Sequence, residues 1–388
     1  MKQWNLLLAL AVMAAASAWL AVGVGGDGDA RARRLHFSSL VLDTHLDTPL
    51  RMKDPNYDFG RENDMGHVDL PRLKRGGLDG AFFSIYMPGT VTGPKAVSDS
   101  LKTIASVHRL VEMHGDSLEF CTSASDVRRA QRTGRIAVLM GMEGGHMIHN
   151  SLPILRMFAR LGVRYLTLTH NVNTDWADSV ADSRVNEGLN DLGRNVVREL
   201  NRLGVLIDVS HVSDETYWDV LEVTEAPVIA SHSSCRNLSN HPRNMNDEMI
   251  RALAKQGGVI QITFVDHFLD VEHHAAREAS IQEAAAEGEA KTERKPIPPV
   301  NWERIVDHID HAVQVAGVRH VGLGSDFDGA DMPTGMEDVS FLPKITRELL
   351  ERGYDESQIR LILGENTLRV LQEAEEAAIR IRSREGAR

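Results

Sequence analysis

A chain of 388 residues has room for one large domain or several ordinary ones, and α/β barrels reach this size as a single unit. Hydrophobic residues make up 42% and charged residues 25%, a globular balance that excludes a disordered chain or a small disulfide framework. The net charge of −12 repels phosphate backbones and argues against a nucleic-acid partner, while two cysteines, Cys121 and Cys235, are too few for a thiolate metal cluster.

Residues 1–26 stand apart, with Lys2 the only charge ahead of Asp27 and an apolar run from Leu6 to Val24. Ala16-Ser17-Ala18 supplies small residues for cleavage, so the segment reads as a secretory signal peptide; the run is also long enough to stay as an N-terminal membrane anchor through residues 5–24. Export to a periplasmic or extracellular location, or anchoring to the membrane, is the expectation.

Residues 36–388 read as one domain. From residue 38 onward, short apolar and β-branched runs alternate with amphipathic charged segments, the pattern of βα units around a parallel sheet. Eight runs follow in order: SLVLDTH, GAFFSIYM, IAVLMGME, VRYLTLTH, GVLIDVSH, PVIASHS, GVIQITF and HVGLGSD. Eight is the count that closes a (β/α)8 TIM barrel. Helical stretches such as 191–204 and 247–258 end at glycine, as helix C-termini commonly do. After the seventh run comes a charged, Ala/Glu-rich insertion, residues 265–300, expected as a partly helical excursion near the barrel mouth.

Catalytic groups of such barrels sit at the C-terminal ends of the strands. Six of the eight runs end on metal-capable or titratable residues: His45 with Asp47, Glu143, His170, His211, His232 and Asp326. His45 and Asp47, two residues apart on a strand, share a face and can chelate. The glycines after Glu143 let the backbone turn tightly, and its carboxylate has an oxygen for each of two ions. His45, Asp47 and Glu143 then make three ligands for one ion, and Glu143, His211 and His232 three for a second. Three protein ligands and an open position is the catalytic pattern of zinc. Asp326 is a candidate general acid/base, with Asp328 as its rival. His170, spare to the ligand count, can donate to a developing oxyanion. Arg243 can clamp a carboxylate, and Arg236 can do the same.

These motifs resemble the membrane dipeptidase (renal dipeptidase) family of zinc peptidases. DTHLDTP, GMEGG, LTLTHNVNTDWAD, DVSHVSD, SHSSCRN with PRN, GLGSDFDG and GENTLRVL appear in the family's order between about residues 38 and 372. The resemblance implies a barrel hydrolase with two zinc ions that cleaves dipeptides, tolerating a D-residue at the C-terminal position. It also implies metal ligands at His45, Asp47, Glu143 (bridging), His211 and His232, and substrate contacts at His170 and Arg243. Asp326, also at the substrate, takes the acid/base role. It favours Asp326 over Asp328 and Arg243 over Arg236. The insertion is longer than the family usually carries, and the cysteines that pair in animal members are not evident, which leaves a homodimer without its disulfide. Two alternatives remain. A lactonase or phosphotriesterase of the amidohydrolase type would share the barrel but commonly bridges its metals with a carboxylated lysine, and no lysine ends a run. A non-catalytic exported binding protein would be expected to have lost ligand positions that this chain keeps.

Overall fold

A computed structural model describes residues 28–287 and 296–387; the leader-like segment 1–26 lies outside the described residues. Among them no helix is long and apolar enough to cross a membrane.

Among the described residues nine parallel strands form one sheet: β1 Leu42–Leu46, β2 Gly80–Tyr86, β3 Leu118–Phe120, β4 Ile136–Glu143, β5 Val163–Thr167, β6 Leu206–Asp208, β7 Ile229–Ser233, β8 Val259–Ile262 and β9 Val321–Leu323. Eight of them, in the order β1-β2-β4-β5-β6-β7-β8-β9, make the barrel wall. They are the eight runs expected from the sequence. Closure comes from a parallel bridge between Leu46 and Phe327, with Asp47 N donating to Phe327 O at 2.9 Å and Asp326 N to His45 O at 3.1 Å. The fold is thus a nearly closed (β/α)8 barrel.

The ninth strand, β3, was not expected. It pairs with β4 at Ile136–Val138, while β5 takes up the same edge from Met140 onward. β4 is long enough to pair with both. Three residues are too few to show a period in the sequence, so β3 exists because β4 offers it an open edge.

Side-chain alternation divides the core. Phe82, Leu139, Tyr165, Leu206, Ile229 and Val259 fall in one buried cluster, which fuses with Leu368, Leu371 and Ala374 of the C-terminal helix Asn366–Gly386. Their strand neighbours Phe83, Val138, Met140, Leu166, Ile207 and Ile260 fall in the larger cluster against the surrounding helices. This is the inside-and-outside division of a barrel wall. Apolar side chains fill the lower interior, with the buried Gln261 bonded to Thr367 among them, and further polar groups gather toward the mouth. Asn366, in the GENTLRVL stretch, donates to the carbonyls of Val318 and Val321 and so ties that helix to the start of β9.

Helix ends follow the local sequence. Ser123, Ser151, Asn190, Ser213 and Asn246 accept a backbone N–H from the first turn of their helices. Gly204, left-handed at φ 70°, ends Asp191–Leu203. The helix over 28–37 packs through Ala32 and Leu35, and the His36 imidazole bridges Thr346 and Gly76 O. The folded unit therefore begins ahead of residue 36. The insertion after β8 holds the helices Asp266–Leu269 and Val271–Glu287 and returns through residues 296–300.

Candidate metal centre at the barrel mouth

His45, Asp47, Glu143, His170, His211, His232, Arg243 and Asp326 lie together at the C-terminal ends of the strands. Glu143, the last residue of β4, is the centre. Its Oε1 lies 3.1 Å from His211 Nε2, 3.3 Å from His232 Nε2, 3.6 Å from His45 Nε2 and 3.9 Å from His170 Nε2. Its Oε2 lies 3.5 Å from the Ser84 hydroxyl. The backbone beyond Glu143 turns through Gly144 at φ 120°, a conformation closed to residues with a Cβ.

His45 Nε2 is also 3.5 Å from Asp47 Oδ2 and 3.9 Å from Asp326 Oδ1. The two residues of the HxD pair meet, but not as neighbours on a regular strand. β1 ends at Leu46, its register against β2 shifts between Asp43 and Leu46, and Asp47 already has the turned backbone that precedes a short helix. Two further residues reach the centre through strained backbone: His211 at φ 70° and Asp326 at φ 66°, both left-handed. His and Asp tolerate that region better than most residues, and here it turns chain that has left β6 and β9 back over the barrel axis. Gly329 is required nearby, since a Cβ there would stand 2.2 Å from Asp47 Oδ2 and 2.3 Å from Asp326 Oδ1.

The electrostatics are uneven across the centre. Burial opposes a charge on His45, yet Glu143 foremost, then Asp47 and Asp326, outweigh it and raise its pKa to about 10. Burial also lifts Glu143 to about 8 and Asp326 to about 7. On the other side burial, reinforced by the Arg243 charge, lowers His170 to about 3 and keeps His211 neutral; burial and then His45 do the same for His232. Neutral imidazoles are lone-pair donors.

Whether the residues fit a metal can be read from their unmet bonds. His45 Nε2 and Asp47 Oδ1 are buried with no hydrogen-bond partner among the described residues. The Nε2 atoms of His211 and His232 face each other at 2.9 Å, too close for both to carry protons. Three groups, His45-Glu143-His232, Glu143-His170-His211 and His45-Asp47-Asp326, each bring candidate ligand atoms within reach of one ion. Imidazole nitrogen with carboxylate oxygen is a donor set that suits zinc and related dications.

The structure separates the paired candidates. Asp326 faces the centre, whereas Asp328 accepts from Thr48 Oγ1 at 2.8 Å and His67 N at 2.6 Å and is spent on the fold. Arg236 forms a two-pronged pair with Asp214 at 2.8 Å. Arg243 is buried, donates to His232 O at 3.1 Å, and lays its guanidinium over Phe268 at the start of the insertion. Residues not singled out beforehand also reach the site. Tyr86 packs edge-on against His170, Tyr165 places its hydroxyl 2.7 Å from His45 Nδ1, and Ser231 places its own 2.8 Å from His232 Nδ1. Tyr165 and Ser231 lie within runs that read simply as strand, so only the position two residues past an inward apolar side chain could have marked Ser231.

A buried set of nitrogen and oxygen donors at the mouth of a (β/α)8 barrel defines a metal-dependent hydrolase. Residues 29–385 match the model of the membrane dipeptidase family, peptidase family M19, and the chain belongs to that family. It is a metallopeptidase that cleaves dipeptides. The chain is similar in structure to the probable dipeptidase PvdM from Pseudomonas aeruginosa, with 28% identity, 90% of this chain and 99% of that one covered, and a TM-score of 0.82. Dipeptidase AC, a metallopeptidase of family M19, matches at 28% identity over 87% of this chain and 99% of that one, with a TM-score of 0.76. A metallopeptidase from Rhodobacter sphaeroides, liganded with a phosphinate mimic of the dipeptide L-Ala-D-Ala, matches at 28% identity over 87% of this chain and all of that one, with a TM-score of 0.75.

Proposed function

We propose that the protein is a dinuclear zinc dipeptidase, with His45, Asp47 and Glu143 holding one ion, Glu143, His211 and His232 the other, and Glu143 common to both. The observation that carries this reading is the position of Glu143 Oε1, within 3.1 to 3.6 Å of the Nε2 atoms of His45, His211 and His232. When bound, the ions supply Lewis acidity and a nucleophile at neutral pH.

The chain's own residues supply the rest. Arg243, buried and backed by Phe268, pairs bidentately with the free carboxylate of the dipeptide and sets how far the substrate enters. His170, neutral and beside Glu143, donates to the oxygen of the scissile carbonyl as it gains charge. Asp326, with a carboxyl raised toward neutrality, accepts a proton as the peptide bond is attacked and passes it to the leaving amine. The substrate class is a free dipeptide, including those with a D-residue at the C-terminal position; the relative bound to an L-Ala-D-Ala mimic supports that stereochemistry. Residues 1–26 act as a signal for export or as a membrane anchor, which N-terminal sequencing of the mature protein from each cell fraction distinguishes.

Metal analysis of the purified protein should find close to two zinc-like ions per chain, and a panel of L,L and L,D dipeptides should show turnover. Fewer than about one ion per chain, with no hydrolysis after zinc or cobalt is added, would refute the reading.

A further inference from the structure

Below the histidines lies a set of hydrogen bonds that the reaction outlined above does not use. Two residues beyond the inner apolar layer on three adjacent strands come Thr167, Asp208 and Ser231, all fully buried. Asp208 accepts four hydrogen bonds. Its Oδ1 receives Ser210 N at 3.0 Å and Ser231 N at 2.8 Å; its Oδ2 receives the Ser231 hydroxyl at 2.7 Å and the Thr167 hydroxyl.

On its other side, Ser231 Oγ lies 2.8 Å from His232 Nδ1. A serine hydroxyl has a single proton to give, and a carboxylate can only accept. The charge-assisted bond to Asp208 takes that proton. Ser231 can then meet the imidazole only as an acceptor, so the ring proton sits on Nδ1. His232 Nε2 is left with its lone pair, and it faces Glu143 Oε1 at 3.3 Å.

We propose that Asp208 is a positioning residue which, acting through the Ser231 hydroxyl, holds His232 as the Nδ1–H tautomer and so aims the Nε2 lone pair into the barrel mouth, ready for a divalent ion. The last step rests on the proposed role of His232 as a metal ligand. A hydrogen bond on the far nitrogen of a ligating imidazole fixes its orientation and raises its basicity, and losing such a partner commonly costs about 10- to 100-fold in metal affinity.

Replacing Asp208 by Asn makes a directional test. The two backbone N–H groups keep the carboxamide oxygen in the Oδ1 place, which puts the amide nitrogen opposite Ser231 and Thr167. That nitrogen donates to Ser231 Oγ, the serine proton turns to His232 Nδ1, and the ring proton moves to Nε2. Two-bond proton–nitrogen correlation spectra of metal-free protein labelled with nitrogen-15 histidine read this directly. Wild type should show a protonated Nδ1 and a bare Nε2 at His232, and Asp208→Asn the reverse. Zinc affinity, measured by chelator competition, should fall about 10- to 100-fold in Asp208→Asn and in Ser231→Ala. Ser231→Thr keeps the hydroxyl and should restore both readouts. A packing defect would lower stability without exchanging the two nitrogen signals.

Wild-type His232 protonated on Nε2, or nitrogen signals unchanged by both Asp208→Asn and Ser231→Ala, overturns the proposal. Should Asp208→Asn fail to fold, the Ser231→Ala and Ser231→Thr pair decides it: loss of Nδ1 protonation in the first and recovery in the second uphold it, and no difference between them overturns it. Should wild type show the expected tautomer yet bind no zinc, the relay stands and the dinuclear zinc reading fails.

Discussion

The two sides of the centre are built from different chemistry. Around His45 stand Asp47, Glu143 and Asp326, and these acidic groups favour a proton on that imidazole against its burial. Around His211 and His232 stand His170 and the Arg243 guanidinium, and burial with this positive charge keeps the imidazoles neutral. Similar side chains therefore meet different fields. The acidic side collects protons that a dication displaces, while the histidine side presents lone pairs without rearrangement. Glu143 is the member that faces both.

Removing what the two sides share should have the largest effect. Glu143→Gln is expected to lower bound metal to less than one ion per chain and dipeptide turnover by on the order of 10⁴-fold, or about 5 kcal/mol of barrier, checked by metal analysis alongside kcat/KM. Full activity with full metal content would show that the halves are independent. Next comes Asp326→Asn, for which turnover should fall about 10³-fold with metal retained, as expected for loss of a general acid/base. Asp328→Asn tests the contrast. Its carboxylate is engaged by Thr48 and His67, so this change should lower thermal stability and leave kcat near wild type.

The histidine side rests on a buried imidazole outside the centre. His308 accepts from Cys235 N at 3.0 Å and faces Leu269 O at 3.0 Å, joining the loop that carries Arg243 to the start of the insertion. Burial lowers its pKa from 6.5 to about 4. Above pH 6.5 both folded and unfolded chains hold it neutral. As pH falls from 6.5 toward 4 the unfolded chain takes up the proton first, and stability declines by up to about 3 kcal/mol. Denaturant melts at pH 7 and pH 5 should show about 2 kcal/mol of this loss from His308, and His308→Gln should remove that share while leaving the part due to the other buried histidines, such as His36 and His170. The smallest effect is expected from Arg243→Lys. Loss of two-pronged carboxylate binding should raise KM about 10- to 30-fold, near 2 kcal/mol, with kcat changed less, while Arg236→Lys acts on stability alone.

The barrel was legible because its wall is made of apolar, β-branched runs at regular spacing, each buried whichever way its side chains point. IAVLMGME and GVLIDVSH read as strands without any knowledge of neighbours. β3 was not legible, since Leu118–Phe120 has no pattern of its own and is a strand only beside β4. Among candidate site residues the types and strand ends were readable, but the choice within DFD or between Arg236 and Arg243 was not, because residues a few positions apart carry the same chemistry. Left-handed turns at Asp326 and Asp328 send one carboxylate to the centre and the other to Thr48. Pairing with Asp214 takes Arg236 out of reach.

What the sequence by itself determined is the inventory: eight strands, the polar residues at their ends, and the motif order that marks the family. Local pattern suffices for that, since hydrophobic periodicity and residue chemistry are properties of short stretches. Only the tertiary structure decided how these groups act on one another. Charge on His45, neutrality of His211 and His232, and the place of the proton on His232 depend on side chains brought within a few ångströms from strands far apart in the chain, where burial makes each neighbour's charge and each hydrogen bond count.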